Sequence, residues 1–136
     1  MLTNQSKLKI ADNSGGKIAK CIKVVGLGKK KFGYIGDLLL VTIVKKKRKF
    51  KKKIKKKLLY YGLIIMVKKP IRRQNGVFVK FEDNRILLFS LNDNKNKFLG
   101  TRIYGSLMKE VKFYIHKNNK HKQKYFKLIS YCNSII

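Results

Sequence analysis

Lys68, Lys69, Arg72 and Arg73 crowd into six residues just ahead of the dipeptide Asn75-Gly76. The chemistry open to such a group is phosphate binding. A guanidinium grips a phosphate through paired N–H bonds, whereas a lysine ammonium acts as a point charge. Lys80 follows on the far side of the turn, and Lys29, Lys30 and Lys31 form a second basic cluster ahead of Phe32. The third is the tract 45–57, opened by Lys45, Lys46, Lys47 and Arg48; eleven of its thirteen residues are Lys or Arg, broken only by Phe50 and Ile54. Charges this dense cannot all be neutralised internally, so the tract is expected to be an extended or disordered arm that orders against phosphate. Aromatic side chains near basic residues can stack on unpaired bases. Phe32 and Phe50, within charged loops, are the best candidates; Tyr34, Tyr60 and Tyr61 compete with the needs of the core.

Catalytic chemistry is poorly represented. Against 35 Lys and Arg stand six acids, Asp12, Asp37, Glu82, Asp83, Asp93 and Glu110, for a formal net charge of +29. They are scattered. Asp12 and Asp37 lie in turn contexts, where a carboxylate ordinarily accepts backbone hydrogen bonds. A nuclease built on Asp12, Glu82 and Asp83 is the weakest of the functional alternatives. His116, His121 and Cys132 match no zinc spacing, and Gly26-x-Gly28 lacks the helix and acidic ribose ligand of a dinucleotide site. No enzyme activity, metal or cofactor is expected. The charge balance instead requires a polyanionic partner.

The elements that must present these cations read mainly as strands. Leu8 and Ile10 alternate with lysines, and Asp12-Asn13-Ser14-Gly15-Gly16 supplies turn chemistry. Ile18–Val25 and the nearly continuous apolar run Leu38–Val44 follow, the latter typical of a strand covered on both faces. Leu58–Val67 is the next strand, with Gly62 marking a bulge or a close approach. Pro70 suits an edge, and Asn75-Gly76 predicts a hairpin turn whose residues take positive φ. Val77, Val79 and Phe81 alternate onto one face, Phe78 and Lys80 onto the other. Ile86–Leu91 is a further strand. Leu107, Met108, Val111 and Tyr114–Ile115 fall at helical spacing with Ser106 as N-cap, and Tyr125–Cys132 is a last apolar element, helix or strand.

At 136 residues the chain has room for one domain, residues 1–136, with a basic arm at 45–57 and an extended basic loop at 114–124. Its apolar runs, Tyr34–Val44 and Leu58–Val67, are too short to cross a bilayer, which takes ~20 residues, and Met1–Ile10 does not resemble a secretory signal. Cys21 and Cys132 read as small buried hydrophobes in a reducing compartment. Abundant Lys, Ile and Asn, with alanine only at positions 11 and 19, suggest an AT-rich coding sequence. A mitochondrial genome is the expected source, a plastid the alternative.

Several ordered blocks carry a resemblance. Ile10-Ala11-Asp12-Asn13-Ser14-Gly15 with Cys21-Ile22-Lys23-Val24, the block from Gly62 to Leu88, Gly100-Thr101-Arg102-Ile103-Tyr104-Gly105, and Lys127-Leu128-Ile129-Ser130 together resemble the universal large-subunit ribosomal protein L-fourteen family. The resemblance implies a small five-stranded β-barrel with a projecting β-hairpin and a short C-terminal helical region. It implies binding to large-subunit rRNA, a bridge to small-subunit rRNA, and neighbours of the L-three and L-nineteen families. The rRNA-binding set expected here comprises Asn13, Ser14 and the basic residues 29–31, 45–48, 68, 69, 72, 73 and 80. By similarity, Thr101, Arg102 and Lys127 match positions that contact a ribosome-silencing factor or lie at the bridge. Ser106 departs from the family's usual proline, and the 114–124 segment is longer than its common pattern. The alternative to a ribosomal role is a free-standing barrel that binds single-stranded nucleic acid.

Overall fold

The computed structural model describes residues 2–26, 31–47, 54–55, 57–90, 98–112 and 128–136. The strands are β1 (Lys7–Ile10), β2 (Gly16–Val25), β3 (Leu38–Lys46), β4 (Leu59–Met66), β5 (Ile71–Arg72), β6 (Phe78–Val79), β7 (Arg85–Phe89), β8 (Ser106–Leu107) and β9 (Ser134–Ile135). Five of them close a barrel in the order β1-β2-β3-β4-β7. Neighbours run antiparallel except at the closure, where β1 lies parallel to β7 with Lys9 opposite Arg85 and Ile10 opposite Ile86. The expected mainly β architecture is therefore present. Helical backbone among the described residues is confined to 110–112 and 128–131.

Strand sequence explains the core. In β3, Leu39, Val41 and Ile43 point inward while Leu40 and Thr42 are only half-buried, as a two-residue period dictates. Register shifts in β2 between Gly16 and Ile18, Ile18 and Ala19, and Cys21 and Lys23 reset its alternation. Ala19, Cys21 and Val24 stay buried, whereas Ile22 and Lys23 are both exposed. In β4 the run from Gly62 to Met66 is wholly buried. Gly62 is a close approach: a Cβ there would meet Ile86 Cδ1 at 2.9 Å and Val41 Cγ1 at 3.4 Å. The strand's bulge falls later, between Ile64 and Met66.

Three local expectations are corrected. In the hairpin turn, Gly76 has φ +80° but Asn75 does not join it in the left-handed region. Gly76 N–H donates to Arg73 O at 3.0 Å and Arg73 N–H to Val77 O at 2.9 Å, giving a three-residue loop with glycine at the left-handed position. Ser106 is not an N-cap; it lies in β8, which pairs in parallel with β9, and helical backbone begins only at 110. The described part of Tyr125–Cys132 is helical at 128–131.

The third correction concerns the basic arm, whose ends are built into the barrel. Lys45 and Lys46 extend β3 opposite Ile18 and Gly16, and Lys47 N–H donates to Gly15 O at 2.8 Å. Ile54 is fully buried, and the Tyr60 hydroxyl accepts from Lys55 N–H at 3.1 Å. An apolar residue and a strand continuation thus anchor the flanks of the tract. Residues 48–53 and 56 lie outside the described residues.

One carboxylate ties the closure together. Asp12, only 3% exposed, accepts from Ser14 N–H at 2.9 Å and from the Ser14 hydroxyl through Oδ1, and from Leu88 N–H at 3.0 Å through Oδ2. Around it, Ala11 N–H donates to Ile86 O at 3.0 Å and Tyr104 N–H to Ala11 O at 2.6 Å. Burial pushes the Asp12 carboxyl pKa up; the Ser14 and Leu88 donors and the charge of Lys47 limit that rise. The protonated form is thus favoured by the fold, and its contribution fades as pH rises through the raised pKa. Asp12→Ala leaves two buried backbone donors unpaired, so urea unfolding should show a loss of about 1–3 kcal/mol for each. Gly100→Ala should also destabilise the fold, because its Cβ would lie 2.6 Å from Asp12 Cβ.

Candidate nucleic-acid interface

The outer face of the barrel carries lysines that alternation forces into solvent. Lys7, Lys17 and Lys23 are exposed, and Lys7 stands directly opposite Lys20 across β1 and β2. Like charges in that register repel. The alternation of Leu8 and Ile10 with lysine signals this face, although these lysines are not in the expected binding set. At the end of β3, Lys45 and Lys47 are exposed, and the Lys47 ammonium lies 5.3 Å from the centre of the Tyr104 ring. Lys46 is half-buried and donates to Ile54 O at 3.4 Å. Lys31 is exposed; Lys29, Lys30, Arg48 and Lys127 fall outside the described residues.

The ribbon formed by β5 and β6 presents a second basic surface. Lys68, Lys69, Arg72 and Lys80 are all exposed. Arg73 is different. Its Nε and Nη2 donate to the two Glu110 oxygens at 2.6 and 3.2 Å, and Nη2 also donates to Ile136 O at 2.8 Å. The expectation that Arg73 grips phosphate bidentately meets a competing arrangement: its fork already holds the Glu110 carboxylate and the Ile136 carbonyl. Its hydrogen bonds with Glu110 raise the guanidinium pKa further. Burial pushes the Glu110 carboxyl up, but the Arg73 bonds and nearby charges outweigh it and hold the group below the usual range.

The turn between β1 and β2 engages the side chains of two other expected contacts within the fold. Ser14 is 1% exposed with its hydroxyl on Asp12, so its side chain offers nothing to a partner. The Asn13 carboxamide is also occupied, accepting from Thr101 N–H at 2.8 Å and Arg102 N–H at 3.2 Å and donating to Thr101 Oγ1 at 3.0 Å. Asn13 therefore positions the exposed pair Thr101 and Arg102 and has little of its carboxamide left for RNA.

Among the aromatics, Phe32 is 42% exposed, as a stacking role requires, while Tyr60 is 8% exposed and belongs to the core. Tyr61 packs against the core as well, and Phe50 lies outside the described residues. Phe78, 64% exposed, is absent from the expected RNA contacts, although alternation already places it with Lys80, opposite Val77, Val79 and Phe81. Among the described residues, the carboxylates do not converge on an enzyme site. Asp83 is bound by Lys9 at 2.8 Å and lies 3.5 Å from Arg85, and the Lys9 hydrogen bond foremost holds its pKa down. Tyr34 N–H donates to Asp37 at 2.8 Å. The described residues contain no group of three His, Cys, Asp or Glu that could hold a metal. Cys21 and Cys132 are free thiols, the first buried and the second only partly so.

Comparison with known proteins decides the family. The model of the family described as ribosomal protein L14p/L23e matches residues 1–136. The chain belongs to that family. It is also 41% identical over 136 residues to the large ribosomal subunit protein uL14 of Carsonella ruddii (strain PV), covering all of both chains. As a family member it is a structural protein of the large ribosomal subunit that serves translation, and it is not an enzyme.

Arg73 joins the ribbon to the C-terminal segment, and its removal tests that role. Arg73→Ala should speed amide hydrogen exchange in β5, β6, β8 and β9 while leaving β2 and β3 unchanged. In the unaltered chain, Glu110 supports this junction above the ordinary glutamate pKa. That support is lost as pH falls through its lowered folded value. Ribbon amide chemical shifts should therefore change with acidification in that window, and should not do so in Glu110→Gln.

Proposed function

We propose that the chain binds large-subunit rRNA through the outer lysines of β1 and β2, the end of β3 and the ribbon, and that it contributes to a bridge to small-subunit rRNA. The observation that carries this reading is the placement of the acids. Asp12, Asp83 and Glu110 are engaged with groups of the fold itself, and Asp37 accepts a backbone N–H. The surface cations are consequently left with little internal compensation. Neighbours of the L-three and L-nineteen families complete the proposed setting. Thr101 and Arg102, held outward by Asn13, offer a surface for a silencing factor or the bridge, together with Lys127.

The proposed particle is a mitochondrial ribosome, with a plastid as the alternative, on the strength of the Lys-, Ile- and Asn-rich composition. The relative from Carsonella ruddii, a bacterium, is matched over its full length, so the long 114–124 segment is not by itself a mark of an organelle. Sedimentation of native extracts distinguishes residence in large-subunit particles from a soluble pool of single-strand binder.

Binding should be strongly salt-dependent. With ~8 phosphates engaged on duplex-like RNA, a threefold to fourfold rise in salt should weaken binding by about three to five decades. Replacing Lys68, Lys69 and Arg72 by serine should lower the slope of log affinity against log salt by about one for each phosphate no longer neutralised. The thermal midpoint of the isolated protein should not fall, since all three side chains are exposed and their loss relieves like-charge repulsion. An unchanged slope would remove the ribbon from the interface.

A further inference from the structure

The two faces of the ribbon differ. Register puts Arg72 across from Phe78 and Ile71 across from Val79. Alternation gives Ile71, Arg73 and Val79 one face, where Ile71 and Val79 pack against the core and Arg73 is held by Glu110. Pro70, Arg72, Phe78 and Lys80 occupy the other, and all four are exposed. Phe78 is the most exposed large hydrophobic residue among the described residues, at 64%. Arg72 makes no side-chain hydrogen bond or ion pair with them. A phenyl ring left in water forgoes ~1.5–3 kcal/mol of burial, so its position beside a guanidinium unpaired among the described residues points to a partner.

We propose that Phe78 is a base-stacking anchor: an unpaired RNA base lies on its ring while Arg72 and Lys80 take the adjoining phosphates. This rests on the rRNA-binding reading and deepens it. Cross-strand neighbours place their Cβ atoms ~5 Å apart, close enough for one nucleotide to meet both a ring and a cation. The surroundings favour RNA over an apolar protein pocket. Lys68, Lys69, Arg72 and Lys80 bracket the ring in sequence, against one exposed acid, Glu82. Stacking on an aromatic face also tolerates any base, because every base has a π surface. Phe32, the other exposed phenylalanine among the described residues, is not part of the ribbon.

The chain contains no tryptophan, so Phe78→Trp introduces a single indole reporter. Its emission should be quenched on titration with a large-subunit rRNA transcript and change little on binding a fully paired RNA duplex. Phe78→Leu, which keeps an apolar side chain but removes the ring, should bind the transcript about tenfold more weakly and the duplex equally well. A photoreactive phenylalanine analogue at position 78 should label rRNA in assembled large subunits. Unchanged emission on bound transcript, equal transcript affinity for Phe78→Leu, or label on protein alone would overturn the anchor and leave rRNA binding standing. Failure of the unaltered chain to bind the transcript would overturn both.

Discussion

Six carboxylates against 35 cations is the constraint on which this structure turns. Four of them, Asp12, Asp37, Asp83 and Glu110, are tied into the fold by hydrogen bonds or ion pairs. Asp12 joins β1, its following turn and β7, Asp83 holds Lys9 beside Arg85, and Glu110 clamps the ribbon to the C-terminus. Arranged this way, they do little to neutralise the surface. Lys7 opposite Lys20 shows the consequence in a single cross-strand pair, because only counterions or a polyanion can relieve that repulsion.

The barrel makes this charge useful by fixing its geometry. Closure by a short parallel contact between β1 and β7 is reinforced by the Asp12 carboxylate and by Ala11 bonding to both Ile86 and Tyr104. The same turn orients Thr101 and Arg102 through Asn13. A surface of lysines on the barrel and a ribbon steadied by Arg73 then present separate, preorganised cationic surfaces to the RNA partner proposed above. Preorganisation matters because ordering long cationic side chains on binding otherwise offsets much of the attraction.

Much of this is legible in sequence. Two-residue alternation locates the barrel strands and puts Phe78 with Lys80 on one face of the ribbon that Asn75-Gly76 locates. The contacts of Ser14, Asn13 and Arg73 are not legible, because each has a partner distant in the chain or a burial that residue type does not disclose: Asn13 meets Thr101, and Arg73 meets Glu110. Ser106 misleads for a related reason. A serine before an apolar run is a good N-cap locally, but pairing with Ser134 in a parallel ladder prevails. In the tract 45–57, charge alone suggests a free arm and hides the value of burying Ile54 and extending β3.

The most direct measurement is the thermal midpoint of the purified, RNA-free chain across a sodium chloride series. Uncompensated surface charge predicts a midpoint that rises as salt screens the lysines from one another. A midpoint that stays level or falls would contradict it, showing that the cations are already balanced within the fold.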